Sequence, residues 1–131
     1  MTAKSPLALI GHMVDSAELA VSFLEGMEKE DFLDDIRTQQ AVILNLLVIG
    51  EMAARLAREH PDFWKRHPEA PWQKMTAMRN RIAHGYFELN LDTVWETTKI
   101  ALPELIRGLK PLRDELAAQA DLRAPPPRTG N

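Results

Sequence analysis

The sequence contains no cysteine, which excludes disulfide staples and thiolate-held metal sites and suits the cytoplasm. Long apolar runs are missing too. The longest, Ala41–Ile49, is interrupted by Asn45 and falls well short of the roughly 20 residues of a membrane span. The opening Met-Thr-Ala-Lys-Ser-Pro lacks a basic stretch followed by an apolar core, so neither a signal peptide nor a membrane partner is expected. There is no strand-like alternation of useful length and no internal repeat. Nor is there an overall cationic excess: 16 Lys and Arg stand against 19 Asp and Glu, a net charge of −3. Averaged over the chain, that balance weighs against nucleic-acid binding.

A chain of 131 residues suits one domain, long enough to bury a core without covalent staples. Its charge is unevenly spread. From Arg55 to Tyr86 there are seven basic and three acidic residues, so this segment carries +4 and the remainder −7. Fluctuations of that size also arise by chance, and the asymmetry gains meaning only if other features fall in the same segment. Three of the four histidines do: His60, His67 and His84.

Helical signals dominate. Ser5-Pro6 has the form of an N-cap followed by proline in the first turn. Ile10, Met13, Ala17, Val21, Leu24 and Met27 recur at three- and four-residue spacing, predicting a first helix over Pro6–Met27, frayed by Gly26. A second, long helix is expected from Asp31 to about Glu59, with Phe32, Ile36 and Gln40 sharing one side. Pro61, Pro68 and Pro71 mark a charged connector. A short third helix should start near Pro71-Trp72 and run through Met75, Met78 and Ile82, ended by a left-handed Gly85. Thr93-Val-Trp-Glu96 fits a capping box for the last helical stretch, in which Pro103 and Pro111 should kink or divide the helix. The expected organisation is a helical domain over 1–120 and a disordered, proline-rich tail over 121–131.

The Ala41–Ile49 stretch is apolar nearly all round, and a helix of that kind must be covered on more than one side. In so small a domain a second subunit is the natural cover. An all-α bundle of four to five helices, dimerising through its second helix, is the expected architecture.

One cluster carries chemistry: Arg79-Asn80-Arg81-Ile82-Ala83-His84-Gly85-Tyr86, inside the basic segment. A guanidinium fork binds phosphate oxygens and stabilises charge added in a transition state. An imidazole titrates near neutrality, so it can take a proton from a ribose hydroxyl or give one to a leaving oxygen. Asn80 can donate to phosphate or orient the histidine, and the Tyr86 phenol can contact phosphate or base. Geometry sets a condition, because five helical residues turn through about 500° and leave Arg79 and His84 about 140° apart. They converge only if the helix ends or deforms near Ala83, or if two copies meet. Taken alone, the spacing is a weak signal, and more often describes a surface arginine and a helix-terminal histidine that favours the macrodipole.

Arg79-x4-His84-x-Tyr86, with Asn80 beside the arginine, resembles the signature of the HepT-like branch of HEPN proteins. Asp31-Phe32, Asp34-Asp35, Ile49-Gly50-Glu51, Pro71-Trp72, Met78-Arg79-Asn80, His84-Gly-Tyr-Phe87 and Asp92-x-Val94-Trp95 extend the resemblance over about Leu7 to Leu109. The resemblance implies an all-α homodimer with two such motifs in a shared cleft. It also implies a metal-independent endoribonuclease acting as the toxin of a toxin–antitoxin pair, with tRNA or mRNA as substrate and no cofactor. The implied partner is a nucleotidyltransferase antitoxin of the MNT type, which transfers AMP to the motif tyrosine, here Tyr86. By position His84 is the implied acid/base, Arg79 the phosphate and transition-state ligand, and Asn80 a supporting group. Attack by the 2′-hydroxyl, leaving a cyclic phosphate, is the implied route. The alternative is a non-catalytic HEPN dimer that binds RNA or nucleotide, or serves as a platform for the nucleotidyltransferase.

Other residues remain open on sequence grounds. Arg81 either contacts phosphate or is simply solvated. Glu51 interrupts an apolar helix and either pairs with an arginine of the cleft or emerges at the surface, while Gly50 beside it suits close helix packing. His60 and His67 lie seven residues apart across a proline-containing connector with no third ligand in view, so no metal site is expected. Trp72 and Trp95 read as core or interface aromatics.

Overall fold

The computed structural model describes residues 4–123, and no strand occurs among them. Four long helices form an all-α bundle: α1 (Pro6–Phe23), α3 (Ile36–Glu59), α5 (Trp72–Gly85) and α7 (Leu102–Arg123). Three short ones join them: α2 (Lys29–Leu33), α4 (Pro61–Arg66) and α6 (Leu91–Glu96). Helix α3 packs against both α1 and α5, and α7 closes over α1. The core is a continuous set of apolar side chains, including Leu9, Ile10, Met13 and Val14 of α1, Leu46, Ile49 and Leu56 of α3, and Leu105 and Leu109 of α7.

Helix α1 begins as expected. Ser5 is extended, its hydroxyl accepts from the Ala8 N–H at 3.1 Å, and Pro6 fills the first turn, where a missing N–H costs nothing. The helix stops at Phe23 rather than Met27, because Gly26 takes a left-handed φ of 75° and turns the chain away.

The single helix expected from Asp31 to Glu59 is two helices. Asp34 and Asp35 stand between them. The Asp35 carboxylate accepts from the Thr38 N–H at 3.2 Å and the Thr38 hydroxyl at 2.7 Å, capping α3 afresh. The break resets the helical phase: Phe32 is buried against Trp95 at 5.6 Å between ring centroids, whereas Ile36 is 65% exposed. Phe32 and Ile36 therefore do not share a face.

Helix α3 is long and apolar enough, by length and composition, to cross a membrane, but it lies within the bundle with Val42, Ile43, Leu46, Ile49, Ala53 and Leu56 buried. Its cover is incomplete. Ile36 and Leu44 are exposed, and Leu47 and Val48 are half-buried.

The proline-marked connector is partly helical, since Pro61 opens α4 in the position where proline is tolerated. Trp72 is buried at the start of α5 and donates its indole N–H to the His67 carbonyl at 2.8 Å. Gly85 does end α5, yet its φ is −148°, not left-handed; the chain passes into a tight 3₁₀ turn over Tyr86–Glu88 instead. The cap of α6 is Asn90, whose side-chain oxygen accepts from the Asp92 and Thr93 N–H groups at 2.9 and 3.2 Å. Thr93 therefore sits inside the first turn of α6, not at its cap.

Between α6 and α7 the helix widens into a π segment, Thr97–Ala101, where the Leu102 N–H reaches back five residues to the Thr97 carbonyl. Pro103 follows at once and has no N–H to offer the normal ladder. Pro111 lies within α7 without ending it. Helix α7 continues to Arg123, past the expected boundary at 120, and the proline-rich residues 124–131 lie outside the described chain.

Candidate functional site

The site grows from the crossing of α3 and α5. A Cβ on Gly50 would collide with the Arg79 Cβ and stand 2.7 Å from the Met75 carbonyl oxygen. Only glycine lets the two helices meet at this distance. The next residue on α3, Glu51, receives the Nε–H of Arg79, and the Asn80 side-chain oxygen accepts from Arg79 Nη1 at 2.8 Å. Of the two readings open for Glu51, the pairing with the motif arginine is the one realised. With both partners partly exposed, this ion pair adds little net stability; its consequence is orientation. Two of the guanidinium's nitrogens are held, and the fork is fixed in direction.

His84 lies in the last turn of α5, exposed, five residues beyond Arg79. Helix α5 is continuous from Trp72 through Gly85, so no deformation near Ala83 brings the two together. They diverge by the helical angle, about 140°. Tyr86 follows in the 3₁₀ turn, 40% exposed, its ring edge-on to Phe87 at 5.5 Å between centroids. Phe87 is 98% exposed. Sequence reasoning gave Phe87 no role; the signal available was a large aromatic directly after the motif tyrosine, in a segment with no helical stripe to bury it.

Arg81 lies on a different flank of α5 from Arg79. It borders a groove facing α6 and the π segment, and among the described residues it has no ion-pair partner. The structure thus joins Arg79, Asn80 and Glu51, leaves His84 and Tyr86 exposed toward the end of α5, and turns Arg81 away from Arg79. His60 and His67 find unrelated partners: His60 Nε2–H donates to the Lys4 carbonyl at 2.6 Å, and His67 Nδ1 contacts the Glu69 carboxylate at 3.1 Å. A hydrogen bond from the Glu69 backbone N–H first, and the His67 contact second, hold the Glu69 carboxyl below its ordinary value. Trp95 is half-buried on Phe32 with Lys99 Nζ 5.0 Å from its ring centroid, a packing role like that of Trp72.

An all-α bundle that carries an arginine, an amide and a histidine along one helix, with a tyrosine in the turn that follows, has the make-up of a HEPN-type domain. Comparison with known proteins places it more finely. Residues 13–112 match the family described as Ribonuclease HepT-like, and the chain belongs to that family. "Probable ribonuclease HepT" of Thermococcus cleftensis is 37% identical over 101 residues, covering 77% of this chain and 89% of the relative. A protein of Caldanaerobacter subterraneus subsp. tengcongensis named "Putative RNase" is 31% identical over 107 residues, covering 82% and 93% of the two chains. No solved structure gave a significant match.

Proposed function

We propose that the protein is a metal-independent endoribonuclease, the toxin of a toxin–antitoxin pair acting on cytoplasmic RNA. Membership in a ribonuclease family and the names of its relatives support RNA as substrate. The single observation that carries the catalytic assignment is the restraint of the Arg79 guanidinium by Glu51 and Asn80, on the helix whose exposed end bears His84. An arginine held in this way meets developing charge on a phosphorane without first having to be ordered.

In the proposed reaction, His84 takes the proton of the ribose 2′-hydroxyl, and the 2′-oxygen attacks the adjacent phosphorus. The bond to the 5′-oxygen breaks, leaving a 2′,3′-cyclic phosphate and a 5′-hydroxyl, while Arg79 balances the charge on the non-bridging oxygens. On the unbroken α5 the Arg79 and His84 directions lie about 140° apart. A homodimer supplies the missing convergence, and the uncovered face of α3 at Ile36, Leu44, Leu47 and Val48 supplies the surface for it.

Tyr86, exposed beside the site, is the group to be silenced. A nucleotidyltransferase partner of the MNT type would join the Tyr86 oxygen to the α-phosphorus of ATP, releasing pyrophosphate. The AMP adduct then places bulk and negative charge where RNA must lie.

The test is cleavage of RNA by the purified protein in EDTA, with His84→Ala as the matched control. Cleavage by the parent and its loss in a still-folded, still-dimeric His84→Ala protein is the expected result. Equal behaviour of the two on RNA removes the enzymatic reading and leaves the non-catalytic dimer. Mass spectrometry after incubation with the partner and ATP should find the adduct on Tyr86, and an adduct elsewhere removes that role.

A further inference from the structure

Helix α5 packs down onto α3 but leaves an open groove of about 420 Å³ on its flank toward α6, the π segment and α7. The groove is apolar in depth: Leu46 and Ile49 of α3, Met78 of α5, and Leu102 and Leu105 of α7 line it. Its only charged lining groups are Lys74 and Arg81, both on α5, and neither has an ion-pair partner among the described residues. The opposite lip is built by the π segment, which turns Thr97 and Ala101 toward the opening. Local π geometry is uncommon and recurs at sites that bind or react.

From this arrangement we propose that the groove holds one unstacked nucleobase of the RNA, with the flanking phosphates on Arg81 and Lys74. The proposal rests on the ribonuclease reading and adds a subsite to it. The charge pattern sets the path of the strand. Acidic residues stand at both ends of the groove, Glu88 toward the 3₁₀ turn and Glu69 with Glu104 toward the start of α5. A polyanion is therefore repelled from the two ends of the groove and is held along its cationic rim, where Lys74 and Arg81 stand about 10 Å apart on α5. One base enters sideways. The methionine and leucine walls offer polarisable surface to an aromatic ring of any identity, and the Thr93 and Thr97 hydroxyls at the mouth are the groups available for discrimination.

The helical wheel links this subsite to the proposed cleavage site. On an ideal helix the Asn80, His84 and Arg81 directions follow one another at steps of about 40° and 60° around the outer face of α5. A strand following that rim with its scissile phosphate at His84 delivers the neighbouring phosphate to Arg81 and its base to the groove. Arg81, which the motif leaves without a role, becomes a substrate-positioning residue.

The experiment uses the full-length His84→Ala protein in EDTA, so that binding is read without cleavage. Ala101→Trp, which fills the groove from its exposed lip, should weaken binding of a fluorescent single-stranded RNA at least tenfold and leave a duplex of the same sequence unaffected. Arg81→Gln should weaken the single strand and lower the slope of log affinity against log salt by about one. Independently of any groove variant, RNA carrying 4-thiouridine should crosslink on irradiation to peptides spanning Trp72–Arg81 or Thr93–Leu105. Unchanged single-strand binding by Ala101→Trp, or crosslinks confined to other peptides, overturns the subsite while RNA binding by the parent leaves the ribonuclease reading standing. Loss of nucleotidyltransferase binding in Ala101→Trp with RNA binding intact also overturns it, assigning the groove to a protein partner. A parent that binds no RNA at all overturns both.

Discussion

Gly50 lies directly beneath Arg79: the space a Cβ would occupy on α3 is taken by the Arg79 Cβ of α5. The arginine is thereby seated by backbone contact before any of its polar interactions is counted. Gly50→Ala should lower stability by about 1–3 kcal/mol, as forced overpacking does in a close-packed interior. Urea denaturation measures it. Cleavage should fall further than stability explains, because relief of the clash displaces Arg79; a variant as stable and active as the parent contradicts the packing account.

In the proposed reaction Glu51, which accepts from Arg79 Nε–H, acts only through that arginine. Glu51→Ala should reduce kcat by about 10- to 100-fold, the scale of loss expected when a catalytic group is misplaced by an ångström or so. KM should change little. Glu51→Gln keeps an oxygen to accept from Arg79 Nε–H and should recover most of the rate. If the alanine and glutamine variants are equally impaired, the hydrogen bond is not what positions the arginine.

The divergence of Arg79 and His84 on one helix can be tested by mixing. Arg79→Ala and His84→Ala proteins, each inactive alone, should regain a fraction of parental cleavage when co-expressed. A heterodimer of the two holds one arginine and one histidine on opposite copies. Arg79→Ala by itself should lose about 100- to 1,000-fold in kcat, as for the removal of an oxyanion-stabilising donor. Absence of recovery in a proven heterodimer means that each copy works with its own pair.

The Asp35 cap gives a pH signature. Hydrogen bonds from Thr38, the hydroxyl first and the N–H second, hold the Asp35 carboxyl below its ordinary value. A depressed folded value means that the cap contributes fully above the unfolded value, about 3.9 for aspartate, and that the contribution fades as pH falls through the lowered one. Asp35→Ala should therefore lower Tm at neutral pH, and the gap to the parent should close below about pH 4. A gap that persists unchanged at pH 2 rules out the ionised carboxylate as its source.

Local signals in the sequence located what is built locally. Ser5-Pro6 marked the start of α1, and Pro71-Trp72 with Gly85 bounded α5. The break before Ile36 was hidden, because apolar spacing continues across Asp34-Asp35 and only the capping bond to Thr38 shows that the phase is reset. Thr93 and Glu96 imitated a capping box, while the real cap, Asn90, depended on a 3₁₀ turn that no periodicity announces. At the site the residue types were legible and their pairing was not. That Glu51 meets Arg79 is a fact about two helices crossing 28 residues apart in sequence. The π segment was equally hidden, since it depends on how α6 runs into a proline.

The unbroken course of α5 has a consequence for dosage. Where a complete site needs two copies, the amount of active dimer at low abundance rises with the square of protein concentration, and the active fraction rises only in proportion to it. In the proposed reaction a folded single copy is inert by geometry alone, whatever partner it meets.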